Sequence, residues 1–401
     1  MMRQLKLELG QLTNTSEAKV LTDRDISTKA EYFVKNLPHR QFPYSKRNWG
    51  GIGHSVCSYQ GKLKPSIGYF LISEFTLPSS IVYDPLGGVG TIPFEARRQG
   101  RIGIASDLSP LAVSVCASKL DEINSDEISN TLSRINKWIQ GYDKKKFESV
   151  DVTFGLNGPL HSYFDAKTLY EVVAARDYFK SKRKKGLTVS ENFILTALLH
   201  ILHGNRPYAL SRNSHPITPF KPTGPTEYKN VLDYIKRRLN MVVPYFLDLQ
   251  ESSPAGKAFL SSYEDAALEV KADSIITSPP FVDSFRFWSS NWMRMWMAGW
   301  EPQDFTSKPK DFLETQQKTN MENYRVFSKV MSGQLKENGL LLLHLGVTKN
   351  RNMAEEIAEL ITHEFRVISI VQEDVAKNES HGLTDKGKKT TEHAYLFARR
   401  I

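Results

Sequence analysis

The sequence predicts an α/β protein, an open and doubly wound sheet with helices on both faces. Three observations carry that prediction. "SSIVYDPLGGVGT" (79–91) reads as a short apolar strand breaking into a Gly-rich turn. "RIGIASD" (101–107) is a second strand that ends in an acid, one helix further on. "ADSIITSPPF" (272–281) is an apolar strand stopped by two adjacent prolines, neither of which can donate to a backbone ladder.

Taken in order, residues 1–50 are polar and read as an irregular N-terminal extension. "GKLKPSIGYFLISEF" (61–75) is a loop entering an amphipathic helix. After the Gly-rich turn, "IPFEARRQG" (92–100) is a helix that stops at Gly100. Ser109 is an N-cap and Pro110 the first residue of the helix through "LAVSVCASKL". Residues 121–255 break the α/β rhythm and read as a mostly helical insertion. Thr188 and Glu191 form a capping box ahead of "NFILTALLHILHG", and a long Pro-rich loop, "NRPYALSRNSHPITPFKPTGPTEY", follows (205–228). The rhythm resumes with "KAFLSSYEDAALE" (257–269). "GLLLLHLG" (339–346) is a buried strand, and "RVISIVQE" (366–373) and "HAYLFAR" (393–399) are a closing strand pair. The domain reading is an N-terminal extension over 1–50, a catalytic domain over 51–120 and 256–401, and the insertion over 121–255.

Bulk properties limit the function. The 401 residues are 40% hydrophobic, enough for a substantial core. Lys and Arg number 53 against 44 Asp and Glu, a net charge of +9 that suits a polyanion such as nucleic acid. Charge alone fits a merely basic soluble protein equally well. The two cysteines, Cys57 and Cys116, have no metal spacing and imply a reducing compartment. The N-terminus lacks a signal core and no apolar run is long enough to span a bilayer, so a cytoplasmic protein is expected.

The chemistry-bearing residues lie at strand ends. Glycines after the first strand let a ligand approach the backbone. A carboxylate at Asp107 can accept both hydroxyls of a ribose. The turn is neither G-x-G-x-x-G nor a P-loop, which disfavours a dinucleotide or a nucleoside triphosphate. Read structurally, the same residues are a tight turn with a surface Asp, and Ser278-Pro279-Pro280-Phe281 is a proline corner ending a core strand. The basic run "KSKRKK" (180–185) reads as a solvated face. Trp288, Trp292, Trp296 and Trp300 recur every four residues, one stripe on a helix, and read as core packing, with a place in a base pocket as the second reading for Trp288 alone. His200 and His203 read as packing residues on an apolar helix, with no metal geometry. Arg206, Ser211, Arg212, Asn213 and His215 mix phosphate-binding and base-reading side chains, so the Pro-rich loop reads as a nucleic-acid contact or a structural crossover.

"DPLGGVGT" resembles motif I of the S-adenosylmethionine-dependent amino-methyltransferases of DNA. Asp84, Pro85, Gly88, Gly90 and Thr91 match, while Leu86 and Val89 stand where Phe and Ser are usual. "SPPF" resembles their catalytic motif IV, "YQGKLKP" (59–65) motif X, and "YEDAALE" (263–269) motif III. The resemblance covers roughly 54–120 and 257–401. It implies a Rossmann-like S-adenosylmethionine-dependent methyltransferase sheet, mostly parallel with an antiparallel final strand. Lys62, Pro65, Asp84, Pro85, Gly88, Gly90, Thr91, Asp107, Leu108, Ser109, Asp265 and Ala266 would hold S-adenosylmethionine. Ser278, Pro279, Pro280 and Phe281 would act on a base flipped out of duplex DNA. In this family Ser-Pro-Pro goes with cytosine N4, and Asp or Asn at that position with adenine N6. Carbon-5 methylation needs a cysteine nucleophile, usually after a proline, and no Pro-Cys pair exists.

The insertion is a candidate target-recognition region. By family, a prokaryotic restriction–modification or phage-defence setting is implied, with a cognate restriction endonuclease as partner and no metal required. An adenine-N6 enzyme, an RNA amino-methyltransferase and a catalytically silent nucleic-acid-binding protein are the alternatives.

Overall fold

Strand β1 (Ile81–Asp84) is buried at every residue, as a parallel strand covered on both faces must be. The computed structural model describes residues 21–46, 49–59, 61–204, 207–215, 219–282, 287–318, 320–375 and 390–401. β1 lies between β2 (Ile102–Asp107) and β4 (Ala272–Thr277) and runs parallel to both. β3 (Lys257–Leu260) extends the sheet beyond β2. β5 (Leu335–Thr348) runs parallel to β4, and the two-residue β6 (Arg351–Asn352) folds back on its end. β8 (Thr390–Arg400) inserts antiparallel between β5 and β7 (Phe365–Asp374). The order β3-β2-β1-β4-β5-β8-β7 is a Rossmann-like sheet, mostly parallel with an antiparallel final strand. The chain moves outward through β2 and β3, then returns to the other side of β1. The strand order therefore reverses between β1 and β4, and a crevice opens at their carboxyl ends.

Successive side chains alternate between two cores. Val82, Ile276, Leu342 and Phe397 pack with Ile26, Phe33, Leu71 and Phe75 from helices Asp23–Asn36 and Pro65–Phe75. Tyr83, Ile275, Leu341 and Leu396 pack on the opposite face with Phe327, Met331 and Ile357 from helices Asn323–Gln334 and Met353–Leu360. The expectation of an irregular extension over 1–50 is corrected at Asp23–Asn36. Ile26, Ala30 and Phe33 are spaced to form one helical stripe, and Thr22 with Asp25 forms a capping box.

Residues 121–255 are largely helical, with long helices Ser125–Gln140, Ala166–Arg183, Val189–Ile201 and Val231–Ser252. The Thr188–Glu191 capping box is present. These helices share one core with Leu111 and Val115 of helix Pro110–Leu120 and with Trp292, Trp296 and Trp300. The Trp-rich stretch is two short helices, Phe287–Ser290 and Trp292–Met297, rather than one, because Asn291 leaves helical geometry at φ −116°, ψ 23°. The tryptophans still pack inward, with Trp288 half-buried against the same core. His203 is buried, and His200 Nδ1 accepts from the Ser58 amide (3.3 Å). Among the described residues, no helix is long and apolar enough to cross a membrane.

Candidate active site

The turn after β1 is shaped by glycines with positive φ, Gly88 at 50° and Gly90 at 72°. Gly90 also admits Cys116, whose Sγ would lie 2.4 Å from a Cβ there. At Gly88 a Cβ would meet nothing within 4 Å, so the space over the turn is open to a ligand. The turn is braced by Gly87 N–H to the Ser106 carbonyl (3.0 Å) and Gly90 N–H to the Gly87 carbonyl (2.7 Å). Pro85 is buried in the same turn, and its carbonyl accepts from the Ser106 hydroxyl (3.2 Å). Val89, where the family resemblance has Ser, is buried in the apolar core. Its carbonyl accepts from Lys119 Nζ (2.6 Å), and burial pushes that ammonium's pKa down to about 7.

Two acids flank the turn. Asp84 is buried at the end of β1, and burial raises its pKa to about 7; the Thr277 hydroxyl and the Leu86 amide (3.2 Å) counter this in part. Asp107 ends β2, and each carboxylate oxygen takes one backbone amide, Gly88 (2.9 Å) and Ser109 (2.8 Å). Each oxygen keeps a second lone pair for a ligand hydroxyl. Burial holds Asp107 above its ordinary pKa, and the two amides pull it back. Leu108 is half-buried beside it. Ser109 caps its helix by accepting from the Ala112 amide (3.2 Å), and its hydroxyl meets Met295 Sδ (3.2 Å).

The stretch preceding Pro65 closes onto the turn. Thr91 is buried, and its hydroxyl reaches the Leu63 carbonyl at 3.4 Å. Pro65 opens the helix that follows. The Lys62 ammonium turns to the His54 carbonyl (2.8 Å), and burial lowers its pKa. Asp265 is exposed and its carboxylate accepts from the Ser262 hydroxyl (2.8 Å), while Ala266 is buried.

At the end of β4 the Ser278 hydroxyl lies 2.9 Å from His344 Nδ1 on β5. Pro279 is buried at the corner. The Pro280 carbonyl accepts from Gln317 Nε2 (2.6 Å), and Gln317 is held in turn by the Tyr324 hydroxyl (3.0 Å). Phe281 lies against β5 where Gly346 makes room; a Cβ there would fall 2.7 Å from the Phe281 ring. Beyond Phe281 opens a cleft of about 510 Å³, lined also by Lys318, Thr348, Lys349, Asn350 and Arg351.

The Pro-rich loop is less open to a base than its composition implies. Arg206 lies outside the described residues. Ser211 is buried and donates to the Arg212 carbonyl (2.9 Å). The Arg212 guanidinium is directed to the backbone carbonyls of Gly224 (2.7 and 3.0 Å) and Ser162 (3.1 Å). Arg212 thus acts as a staple of its own loop, its fork matching two carbonyls, which is the structural crossover of the two readings. Asn213 is exposed, and His215 packs edge-on against Phe220 (5.5 Å).

Three residues of the site escape sequence reading. Lys119 sits beneath the turn. Tyr59 is the first residue of the motif X-like stretch, where the resemblance gives it no role; burial, with the carboxylates of Asp107 and Glu314 nearby, holds its phenol protonated. His344 is a lone polar letter in "LLLLHLG", which signals nothing until Ser278 lies beside it. Among the described residues, no group of three or more His, Cys, Asp or Glu is placed to hold a metal ion.

No protein-family model and no curated protein matches the chain. The chain is similar to the solved structure of a TehB-like SAM-dependent methyltransferase from Corynebacterium glutamicum. That match has 7% identity and a TM-score of 0.31, covering 83% of this chain and 87% of that one. It is also similar to an rRNA methylase from Streptococcus thermophilus, at 9% identity and a TM-score of 0.29, covering 85% and 98%. A third is magnesium protoporphyrin IX methyltransferase from Synechocystis, solved with bound SAM, at 10% identity and a TM-score of 0.30, covering 97% and 100%. Likeness at this level decides neither fold nor substrate, and the fold of this chain rests on its own strand order.

Proposed function

We propose that the chain is an S-adenosylmethionine-dependent DNA methyltransferase that modifies cytosine N4. The observation that carries this reading is the Ser278-Pro279-Pro280-Phe281 corner. It ends β4 beside the glycine turn of β1, and Phe281 opens onto a cleft lined by Lys318 and Lys349. S-adenosylmethionine, when bound, supplies an electrophilic methyl on a sulfonium. The open space over Gly88 and the remaining lone pairs of Asp107 suit its backbone-facing and ribose parts. Asp265 and Ala266 belong to the adenine side of the same site by resemblance.

The chain's own residues would then orient the base. An exocyclic amine is a poor nucleophile because its lone pair is delocalised into the ring. Ser278 Oγ and the Pro279 carbonyl can accept from the amine's protons and hold its nitrogen towards tetrahedral geometry. Phe281 offers a face to a base extruded from the duplex. Orientation of this kind supplies much of a transfer's acceleration. Carbon-5 chemistry is disfavoured further by the buried thiols of Cys57 and Cys116, whose pKa values burial raises. A restriction endonuclease reading the same site is the partner this activity would call for.

The test is direct. The protein is incubated with labelled S-adenosylmethionine and duplex DNA, and the digested nucleosides are identified. N4-methyldeoxycytidine is expected. N6-methyldeoxyadenosine would keep the enzyme class and overturn the base assignment, and label in RNA alone would overturn the substrate. Cofactor binding without transfer to any nucleic acid would favour a silent scaffold.

A further inference from the structure

Ser278 differs chemically from the carboxylate or amide of related motifs, because a hydroxyl carries one proton as well as two lone pairs. Unless that proton is directed elsewhere, it competes with the amine Ser278 must orient. The structure supplies a place for it. His344 Nδ1 lies 2.9 Å from Ser278 Oγ, on a ring only 3% exposed. Three rings wall the imidazole: Phe281 (centroids 5.4 Å), Tyr395 (5.1 Å) and His393, near-perpendicular at 4.6 Å and 84°. Its Nε2 is buried with no hydrogen-bond partner among the described residues. An N–H inside such an aromatic enclosure has ring π-systems to donate to, whereas a bare lone pair finds no donor there. That geometry favours the tautomer with the proton on Nε2 and an accepting Nδ1.

The walls are themselves anchored. Glu373 accepts from the Tyr395 hydroxyl (2.8 Å) and pairs with His39 (3.1 Å), Arg40 (3.2 Å) and His393 (3.4 Å). Burial alone would raise the Glu373 pKa, but hydrogen bonds from His39, His393 and Tyr395 outweigh it and keep the carboxylate ionised. Burial, with His393 close by, keeps His344 neutral and so able to accept.

We propose that His344 is a positioning residue: it takes the Ser278 hydroxyl proton in a hydrogen bond and so turns both Oγ lone pairs to the substrate amine. This role rests on the reading of Ser278 given above. The first test does not depend on activity. Nitrogen-15 NMR of the histidine-labelled full chain should show His344 protonated at Nε2, with an Nδ1 resonance that moves in Ser278→Ala. An Nδ1–H tautomer, or an Nδ1 unaffected by Ser278→Ala, overturns the proposal. The second test is kinetic. His344→Leu should lower kcat about tenfold at unchanged cofactor affinity, the scale of one lost hydrogen bond. His344→Asn, whose amide oxygen can accept in its place, should recover most of that loss. An active protein indifferent to His344→Leu defeats this role alone. A protein that methylates no nucleic acid, with the tautomer as expected, defeats the reading of Ser278 and this role with it.

Discussion

Asp107 does two jobs with one carboxylate. It ties the glycine turn to the next helix through Gly88 and Ser109, and it presents its remaining lone pairs to the crevice. Asp107→Asn would set an NH2 group against a backbone N–H, since an amide cannot accept at both ends. The variant should lose about 1–3 kcal/mol of stability and bind S-adenosylmethionine more weakly, measured by urea unfolding and titration calorimetry. Unchanged affinity would remove Asp107 from the site. Asp84 gives a pH signature. Burial, partly offset by Thr277 and Leu86, lifts its pKa from 3.8 to about 7 in the folded state. Between those values the folded chain holds a proton that the unfolded chain has lost, so this group's stabilising contribution falls as pH rises through the window. Asp84→Asn should flatten that slope in unfolding curves taken from pH 4 to 8. The strand-end positions of Asp84, Asp107 and Ser278 were legible because a strand end and its turn are contiguous in sequence. His344 was not, since its partner is 66 residues away and chain spacing gives no hint of it.

At the scale of elements, the Ser-Pro-Pro-Phe corner depends on its neighbour strand. Gly346 on β5 leaves the space Phe281 occupies, and the Pro280 carbonyl is pinned by Gln317. Gly346→Ala should displace Phe281 and reduce methyl transfer by roughly tenfold or more, because small misplacements of a positioned group are costly. Cofactor affinity should not change. Transfer at the wild-type rate would mean that Phe281 does not stack on the substrate. The same scale explains where sequence reading of elements fell short. Helix Asp23–Asn36 carried both its capping box and its apolar stripe, but polar composition masked them. The tryptophan spacing implied one helix, and the break at Asn291 kept the packing while ending the helix. The Pro-rich loop looked like a phosphate site because the carbonyl partners of Arg212, at Gly224 and Ser162, belong to the backbone and leave no trace in composition. Arg212→Ala should therefore lower stability rather than change nucleic-acid affinity alone, which parallel unfolding and binding measurements would separate.

Across the whole molecule, the strand order sets the crevice and the charge sets what can approach it. The net charge of +9 becomes informative only with a location, and the cleft beyond Phe281 supplies one. Within it Arg351 is paired in a fork with Glu356 (2.8–3.0 Å), so its charge is largely matched. Lys318 and Lys349 line the same cleft as Phe281 with exposed side chains, and under the proposed function they are the cations offered to the nucleic-acid phosphates. Each phosphate contact releases counterions, so its loss is read in the salt dependence of binding rather than in sequence preference. Replacing Lys318 and Lys349 together by Ala should weaken duplex binding uniformly across sequences. The slope of log affinity against log salt should become shallower by about 2, one for each contact. The identity of the methylated base should not change. A double variant with an unaltered slope would mean that the nucleic acid crosses another face of the molecule, and the solvent-facing sides of helices Ser125–Gln140 and Val231–Ser252 would be the next surface to test.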